Sequence, residues 1–284
     1  MILIWSKSLF AQQENKYPVE FGQFMQSTLL NNPAAITEHD YINFQTGLLQ
    51  YIGPFKGIRT YYSTFSYQLQ KKYIHEIGFN FIGDREGELI SRNYFYGRYS
   101  IKIRLNDKYT LSTGSSLGFV NFAFSGSTPN STGADTKIDG CIGTWLHHEK
   151  FNIGFAVNQV TNSSLKPIEE TFILSPFYIL NSDYEYKINP FHSLKVFMIN
   201  RAYNHKLNSD LAILIKHYDT FTWGSGYKTS RGFTFYAGLN KIPVLDDRLH
   251  VLFSYFIPTF ENQANRYNFL EINLAYGINS KQAK

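Results

Sequence analysis

The sequence lacks several features that mark common protein classes. Its 284 residues include one cysteine, Cys141, so the chain forms no internal disulfide and no cysteine-based zinc site. Nine prolines and 20 glycines are too few for a collagen-like or linker-like chain. Charged residues make up 17 % of the sequence, below the roughly 25 % of an ordinary soluble domain. Polar uncharged residues replace the missing charge, because the mean hydropathy is still negative, at -0.26.

Long apolar runs are also missing. A membrane-spanning helix needs about 18 or more consecutive apolar residues, and beyond the N-terminus the longest comparable run is residues 212–215. This excludes a protein that crosses a membrane with helices. The net charge of +5 comes from scattered basic residues without the spacing of a nucleic-acid-binding motif, so we expect no nucleic-acid partner.

Aromatic residues, in contrast, are abundant, and they follow a pattern with a period of two. The 25 Phe, 21 Tyr and 3 Trp form 17 % of the chain. From residue 41 onward, segments of about ten residues alternate apolar and polar side chains, which is typical of β-strands. In one such segment Phe95, Tyr99 and Ile101 alternate with Arg98 and Lys102. We expect about 14 strands, with 12–16 allowed. The predicted strands are 41–50, 57–68, 73–82, 92–105, 109–122, 138–147, 150–159, 182–188, 191–200, 208–217, 219–229, 231–241, 248–257 and 267–278.

Two all-β architectures fit this pattern. A secreted β-sandwich buries its apolar faces, whereas an outer-membrane barrel turns them toward lipid and keeps polar residues in its lumen. Strands of about ten residues have the length that a tilted strand needs to cross a membrane. Small polar residues lie opposite the apolar faces, and aromatic pairs such as Tyr61 and Tyr62 gather near strand ends. The sequence therefore predicts a transmembrane antiparallel β-barrel of outer-membrane type, with the sandwich as the alternative.

The chain is expected to contain a single barrel domain. Residues 1–11 read as an incomplete signal peptide, 12–40 as an N-terminal periplasmic segment, 41–278 as the barrel and 279–284 as a C-terminal tail. Residues 124–137 form the one long turn-rich stretch, and we expect an extracellular loop there.

Two blocks of sequence carry a family resemblance. The first is FGQFMQSTLLNNPAAIT, residues 21–37, and the second is QYIGPFKG, residues 50–57. The first block resembles the opening motif of the PorP/SprF family, and the second resembles a glycine-containing turn of the same family that precedes a strand. The matching residues include Gln23, Phe24, Asn32, Pro33, Ala34, Gln50, Gly53 and Gly57.

The resemblance implies an outer-membrane protein of the type IX secretion system of Bacteroidota. Its expected partners are components of that system, a large secreted adhesin with a type B C-terminal signal, and outer-membrane lipid. The alternative is a passive porin or a channel for hydrophobic solutes. We expect the motif residues to form a plug or a contact with the periplasmic machinery. A simple turn where the chain enters the first strand explains Asn31, Asn32 and Pro33 equally well, because proline rigidifies a turn.

The sequence contains no recognisable catalytic or metal-binding motif, and we expect neither an enzyme nor a cofactor. Of the neighbours His147, His148 and Glu149, only the first and third point to one face of a strand, and a turn is the simpler interpretation. Arg98, Lys102 and Arg104 share one face of a predicted strand. They are expected to pair with acidic lumen residues such as Glu271, or to form a basic stripe that binds a substrate segment.

Overall fold

A computed structural model describes residues 21–36, 40–70, 73–126, 131–203, 206–229, 231–244, 247–259 and 267–279. Within these residues the chain forms one short α-helix (Thr28–Asn31), a 3-10 helix (Gly53–Phe55) and sixteen β-strands. Among the residues described, no helix is both long and apolar enough to cross a membrane. The expected signal peptide and residues 280–284 of the expected C-terminal tail lie outside this part of the chain, whereas Asn279 is the last residue of a strand.

Fourteen long strands form the wall of a barrel and two short strands lie in one loop. The wall strands are β1 (Asp40–Tyr51), β2 (Ile58–Gln70), β3 (Ile74–Glu86), β4 (Ile90–Arg104), β5 (Tyr109–Ser125), β6 (Thr132–His148), β7 (Phe151–Asn158), β10 (Phe177–Asn189), β11 (His192–Tyr203), β12 (Lys206–His217), β13 (Phe221–Lys228), β14 (Gly232–Val244), β15 (Asp247–Pro258) and β16 (Phe269–Asn279). The loop strands are β8 (Ser164–Leu165) and β9 (Phe172–Ile173).

The wall is a closed antiparallel sheet. Each strand pairs with its neighbour in sequence, and β1 pairs with β16, for example Thr46 with Leu274, which closes the barrel. This confirms the predicted 14-stranded antiparallel barrel, and each predicted strand overlaps one strand of the wall. Closure leaves the wall without a free edge, so backbone groups need not face a low-dielectric surrounding unpaired.

Side chains alternate between the outside and the lumen as the period of two predicts. On β4, Phe95 and Tyr99 point outward and are 52 % and 46 % exposed, whereas Arg98 and Lys102 point inward and are buried. The same holds on β16, where Leu270 is exposed and Glu271 is buried. The barrel therefore has an apolar outer belt and a largely polar inner face, which is the arrangement of a barrel in lipid.

Several strands are longer than the sequence predicted, such as β3, which ends at Glu86 and not at residue 82. Residues 124–137 were expected to form a loop, but β5 continues to Ser125 and β6 begins at Thr132, with Ser125 paired to Thr132. The small and charged residues there are typical of a turn. In the structure, however, β5 and β6 stay paired beyond the apolar belt. Likewise, β10 begins at Phe177 and not at residue 182, because its pairing with β7 holds it in the wall despite the preceding Pro176.

The two ends of the barrel differ in the length of their connections. The end where β1 starts and β16 stops, here called the terminal end, has connections of two to four residues, such as 149–150 and 105–108. The opposite end, here called the loop end, carries the 18-residue connection 159–176 that contains β8 and β9.

A charge placed in the apolar belt should destabilise the barrel. Ile142 points outward on β6, is 53 % exposed and lies six residues from the end of the strand. Ile142→Lys should lower the free energy of unfolding by about 2–4 kcal/mol, as a lysine does near the middle of a bilayer. The measurement is urea unfolding of the protein refolded into lipid vesicles.

Thr136→Lys provides the matched control, because Thr136 lies on the same face of β6 but six residues farther along, toward the loop end. Thr136→Lys should lower the free energy of unfolding by about 0–1 kcal/mol. Equal effects of the two substitutions would contradict the position of the belt.

Candidate functional site

The candidate site is the stretch of residues 21–36, here called the inner segment, which lies inside the barrel. Its side chains are almost all buried, and Gln23, Asn32, Ala34 and Ala35 have no exposed surface. Side chains of the wall donate hydrogen bonds to its backbone carbonyls from several directions: Lys228 to Phe21, Tyr236 to Gly22, Gln45 to Gln26, Asn80 to Leu29, Asn158 to Asn31 and Arg98 to Pro33. These donors belong to strands on opposite sides of the wall, so the segment crosses the lumen.

Gln23 attaches the start of the segment to β15 and β16. Its side-chain amide donates to the backbone carbonyls of Leu252 and Glu271, at 3.0 and 2.9 Å, and to the Ser254 hydroxyl. Its backbone N–H donates to the Glu271 carboxylate at 3.0 Å. A strand carbonyl has a second lone pair beyond the one used in the ladder, so the wall accepts these bonds without losing its own.

Asn32 attaches the other end of the segment to β6 and β7. Its amide nitrogen donates to the carbonyls of Thr144 and Phe155, at 3.0 and 3.2 Å. Its amide oxygen accepts the backbone N–H of Ala34 at 2.9 Å and so shapes the turn through Pro33. The Asn-Pro-Ala motif thus combines a local turn with a contact to the wall.

Glycines in the wall make room for this contact. A Cβ atom at Gly143 would overlap Asn32 Oδ1, and one at Gly114 would lie 2.6 Å from the carbonyl oxygen of Pro33. Both glycines point into the lumen, where any side chain would push the motif away. The close approach of the inner segment, and not a turn in the chain, therefore explains why glycine occupies these two positions.

Three apolar clusters complete the packing of the segment. Phe21 packs edge-on against Tyr62, with ring centroids 4.6 Å apart, and belongs to a cluster that includes Tyr94 and Phe122. Phe24 and Met25 belong to a second cluster, with side chains from the inner faces of β6, β7, β10–β12, β14 and β15. Leu29, Ala34 and Ala35 pack against Trp145 in a third. Phe24, a motif residue, thus contributes burial where Gln23 and Asn32 contribute hydrogen bonds.

The connection 159–176 closes the lumen further at the loop end. Leu165 and Leu174 are buried and join the cluster of Phe21. Phe172 packs against Phe122 and Phe124, with ring centroids 6.1 and 5.3 Å apart. A loop and the inner segment therefore share one apolar core inside the barrel.

A buried ion cluster holds the segment near Pro33. Arg98 Nη2 and Lys102 Nζ each lie 2.5 Å from an oxygen of Glu76, and all three side chains are buried. Arg98 Nη1 also donates to the Pro33 carbonyl at 3.3 Å. Buried charges are stable only when they are paired with opposite charges and hydrogen-bonded. Glu76 therefore holds the guanidinium of Arg98 in place, where it also bonds to the inner segment.

A similar cluster holds the segment at Phe21. Arg201 and Lys228 lie 2.7 and 3.7 Å from the carboxylate of Asp210, and all three are buried. Lys228 Nζ donates to the Phe21 carbonyl at 2.8 Å. Each end of the segment therefore meets a wall cation whose charge a neighbouring carboxylate balances.

The structure corrects the expected partner of the basic face on β4. Arg98 and Lys102 pair with Glu76 of the adjacent strand and not with Glu271. Glu271 lies on β16, four strands away, or about 19 Å along a sheet with 4.8 Å between strands. Arg104, at the end of β4, is 70 % exposed beside Asp107 and takes no part in the cluster.

The structure also separates the two sequence blocks. Gln50 is the penultimate residue of β1, whereas Gly53 and Gly57 lie in the turn between β1 and β2 at the loop end. All three are exposed, and the Gln50 amide donates to the Lys56 carbonyl at 3.2 Å. Gly53 adopts a φ of +78°, which explains the glycine in this turn. The structure therefore brings the motif residues of the first block together inside the barrel and leaves Gln50, Gly53 and Gly57 at its loop end.

Sequence reasoning missed Glu76, Asn80, Asp210 and Lys228. Glu76 could have been found, because the short β3–β4 turn fixes a register that puts it beside Ser100, between Arg98 and Lys102. Asn80 and Lys228 bond to the inner segment, and Asp210 pairs with Lys228. These contacts with the segment exist only because the wall closes around it. Within the described ranges, no group of three or more His, Cys, Asp or Glu is arranged to hold a metal ion.

Comparison with known proteins assigns the family. A family model described as "Type IX secretion system membrane protein PorP/SprF" matches residues 13–276, which is most of the chain. The chain belongs to the PorP/SprF family. No curated protein matches this PorP/SprF chain.

Solved structures show the same barrel at low sequence identity. A Pseudomonas aeruginosa FadL homologue matches with 9 % identity and a TM-score of 0.52, over 89 % of this chain and 94 % of that one. The Ralstonia pickettii toluene transporter TbuX matches with 11 % identity and a TM-score of 0.56, over 89 % of this chain and 93 % of that one. The CymD monoaromatic hydrocarbon channel matches with 9 % identity and a TM-score of 0.58, over 89 % of this chain and 92 % of that one. The fold is thus that of FadL-type outer-membrane barrels, and this PorP/SprF protein is located in the outer membrane.

Removing the carboxylate of the Glu76 cluster should destabilise the protein strongly. Glu76→Gln leaves two buried cations without a balancing charge, which typically costs about 3–5 kcal/mol. The measurement is urea unfolding in vesicles, followed by tryptophan fluorescence.

Arg104→Gln is the control, because it removes a charge from the exposed end of the same strand as Arg98 and Lys102. It should change the free energy of unfolding by less than about 0.5 kcal/mol. If both variants unfold alike, the Glu76 cluster does not stabilise the fold.

Proposed function

We propose that this protein assists the export or surface anchoring of a large secreted adhesin with a type B C-terminal signal, as a partner of the type IX secretion system. It does so through protein contacts and not as an open pore. The observation that carries the proposal is the filled lumen, in which the inner segment crosses the barrel and shares a core with connection 159–176. The inner segment is assigned the role of a plug.

A filled lumen supports a protein-binding role because passive transport needs a continuous path for the solute. The inner segment contacts the wall along its length, from the bond between Lys228 and Phe21 to the bond between Arg98 and Pro33. Apolar side chains take up the space on both sides of it. The family membership supports the same proposal, since the family is described as belonging to a secretion system.

The two ends of the barrel offer different partners. In outer-membrane barrels, short turns face the periplasm and longer loops face the outside. The terminal end, with its connections of two to four residues, is therefore assigned to the periplasm and to the secretion machinery. The loop end, with connection 159–176 and the projecting β5–β6 hairpin, is assigned to the secreted adhesin.

A channel for hydrophobic solutes is the second candidate. TbuX and CymD, whose barrels resemble this one, are a toluene transporter and a monoaromatic hydrocarbon channel. Their identities of 11 % and 9 % extend the likeness to the fold alone. A channel role requires the inner segment to leave a path for a solute.

Deletion of the gene separates the two functions. We expect one large surface protein to disappear from surface-biotinylated cells or to appear in the medium, as measured by mass spectrometry, while uptake of an aromatic hydrocarbon is unchanged. Impaired uptake with an unchanged set of surface proteins would favour the channel and refute the proposal. Re-expression of the wild-type chain is the control.

Adding one methyl group at Gly143 tests whether the inner segment acts as a plug. Gly143→Ala places a Cβ atom against Asn32 Oδ1 and should break the bonds from Asn32 to Thr144 and Phe155, each worth about 0.5–1.5 kcal/mol. We expect more frequent ion-conducting openings in planar bilayers and faster chymotrypsin cleavage near Phe24.

Gly97→Ala is the matched control, because Gly97 points outward on β4 and a Cβ atom there lies 3.8 Å from its nearest neighbour. It should leave both readouts unchanged. Heat-modifiable migration on a gel verifies that each variant folds, and folded Gly143→Ala protein with wild-type conductance and cleavage would refute the plug.

A further inference from the structure

Two histidines face each other at the terminal end, outside the site described above. His192 is the first residue of β11 and His217 the last residue of β12, and the register pairs them directly. His217 Nδ1 lies 2.6 Å from His192 Nε2, with ring centroids 4.5 Å apart. Both side chains are half-buried, and the exposed ring of Tyr218 lies beside them, with its centroid 6.3 Å from that of His192 and 4.4 Å from that of His217.

The neighbouring Asn189 selects one tautomer of the His192 ring. The backbone N–H of Phe191 donates to Asn189 Oδ1 at 2.9 Å, so this oxygen is an acceptor. The same oxygen lies 2.9 Å from His192 Nδ1, which must therefore carry the proton. In a neutral imidazole the other nitrogen then holds a lone pair. His192 thus directs the lone pair of Nε2 at His217, whose Nδ1–H donates to it.

We propose that His192 and His217 together bind one divalent transition-metal ion, such as Zn²⁺ or Cu²⁺. The ion takes the place of the shared proton. His217 changes tautomer, so that the proton from Nδ1 passes through water to Nε2, and both facing nitrogens then present lone pairs. Two zinc–nitrogen bonds of about 2.0–2.1 Å at a tetrahedral angle separate the nitrogens by about 3.3 Å. The rings therefore need to move apart by less than 1 Å, and water fills the remaining coordination positions.

The bond between Asn189 and His192 has the form of an outer-shell contact in a metal site. Ligating histidines almost always donate their other N–H to an oxygen, which fixes the ring and raises its basicity. Here Asn189 makes that bond before any metal arrives.

The rings of the other described histidines contact residues of other types. His75 bonds to the Tyr99 hydroxyl, and His148 stacks between Tyr109 and Phe151. Nδ1 of His147 and of His250 lies 2.6 and 3.4 Å from the side-chain oxygens of Asn152 and Asn240. The nearby carboxylate of Asp219 is engaged by Lys241 at 2.6 Å. The donor set is therefore two imidazoles, which favours Cu²⁺ over Zn²⁺ and both over Mg²⁺ or Ca²⁺.

The test uses the full chain without a histidine tag, refolded into detergent micelles and titrated with ZnCl₂ by calorimetry. We expect one zinc ion per chain, and His192→Asn and His217→Asn should each lower the affinity at least tenfold, about 1.4 kcal/mol. Asn189→Ala should lower it about 10-fold or more. His148→Asn, which removes another histidine from the same end of the barrel, should leave it unchanged. With one Cu²⁺ per chain, electron paramagnetic resonance should show coupling to two imidazole nitrogens.

A second measurement needs no variant. Zinc should protect His192 and His217, but not His148, from diethylpyrocarbonate modification, as read by mass spectrometry. Heat-modifiable migration on a gel verifies that each variant folds. The proposal is overturned if the wild-type chain binds no zinc, if binding persists in both histidine variants, or if zinc protects neither His192 nor His217.

Discussion

The pairing of backbone hydrogen bonds around a closed wall is the constraint on which the rest of this structure depends. In hydrocarbon an unpaired N–H or C=O group costs several kcal/mol, and the contact between β1 and β16 removes the last free edge. Closure then divides every strand into an outer face and an inner face. The outer face is free to be apolar, whereas the inner face surrounds a space that something must fill.

The inner segment fills that space with a different kind of interaction from the wall. Wall strands bind one another through backbone ladders, which are indifferent to sequence. The inner segment binds the wall mainly through particular side chains, such as Gln23 on β15 and β16, Asn32 on β6 and β7, and Asn80 on the Leu29 carbonyl. Its position therefore depends on a few residues, and the family motif contains two of them.

The sequence predicted the wall far better than the contents of the lumen. Period-two alternation located all fourteen wall strands because it is local. Its errors concern strand ends, and the largest lie at the starts of β6 and β10, where composition imitates a turn. The partner of Arg98 and Lys102 depends on register, which a single strand does not reveal. Glu271 was a reasonable acidic candidate, but closure places it four strands away from them.

Contacts between side chains of neighbouring strands escaped prediction for the same reason. Asp210 and Arg201 meet across the β11–β12 pair, as do His192 and His217, and nothing in either strand alone marks the encounter. The family resemblance added what periodicity could not, since it singled out Gln23 and Asn32 in a segment with no strand pattern. It gave no indication that Gln50 and Gly53 would lie at the other end of β1.

The contact between segment and wall contains fewer hydrogen bonds than the contact between two wall strands. Separating two strands breaks every backbone bond of their ladder, and in hydrocarbon each group left unpaired costs several kcal/mol. Separating the inner segment from the wall breaks a limited set of side-chain bonds, such as those of Gln23 and Asn32. The inner segment can consequently separate from the wall at a lower free-energy cost than the strands can separate from one another. The inner segment can therefore change its position while the strands of the wall stay paired and the barrel stays closed.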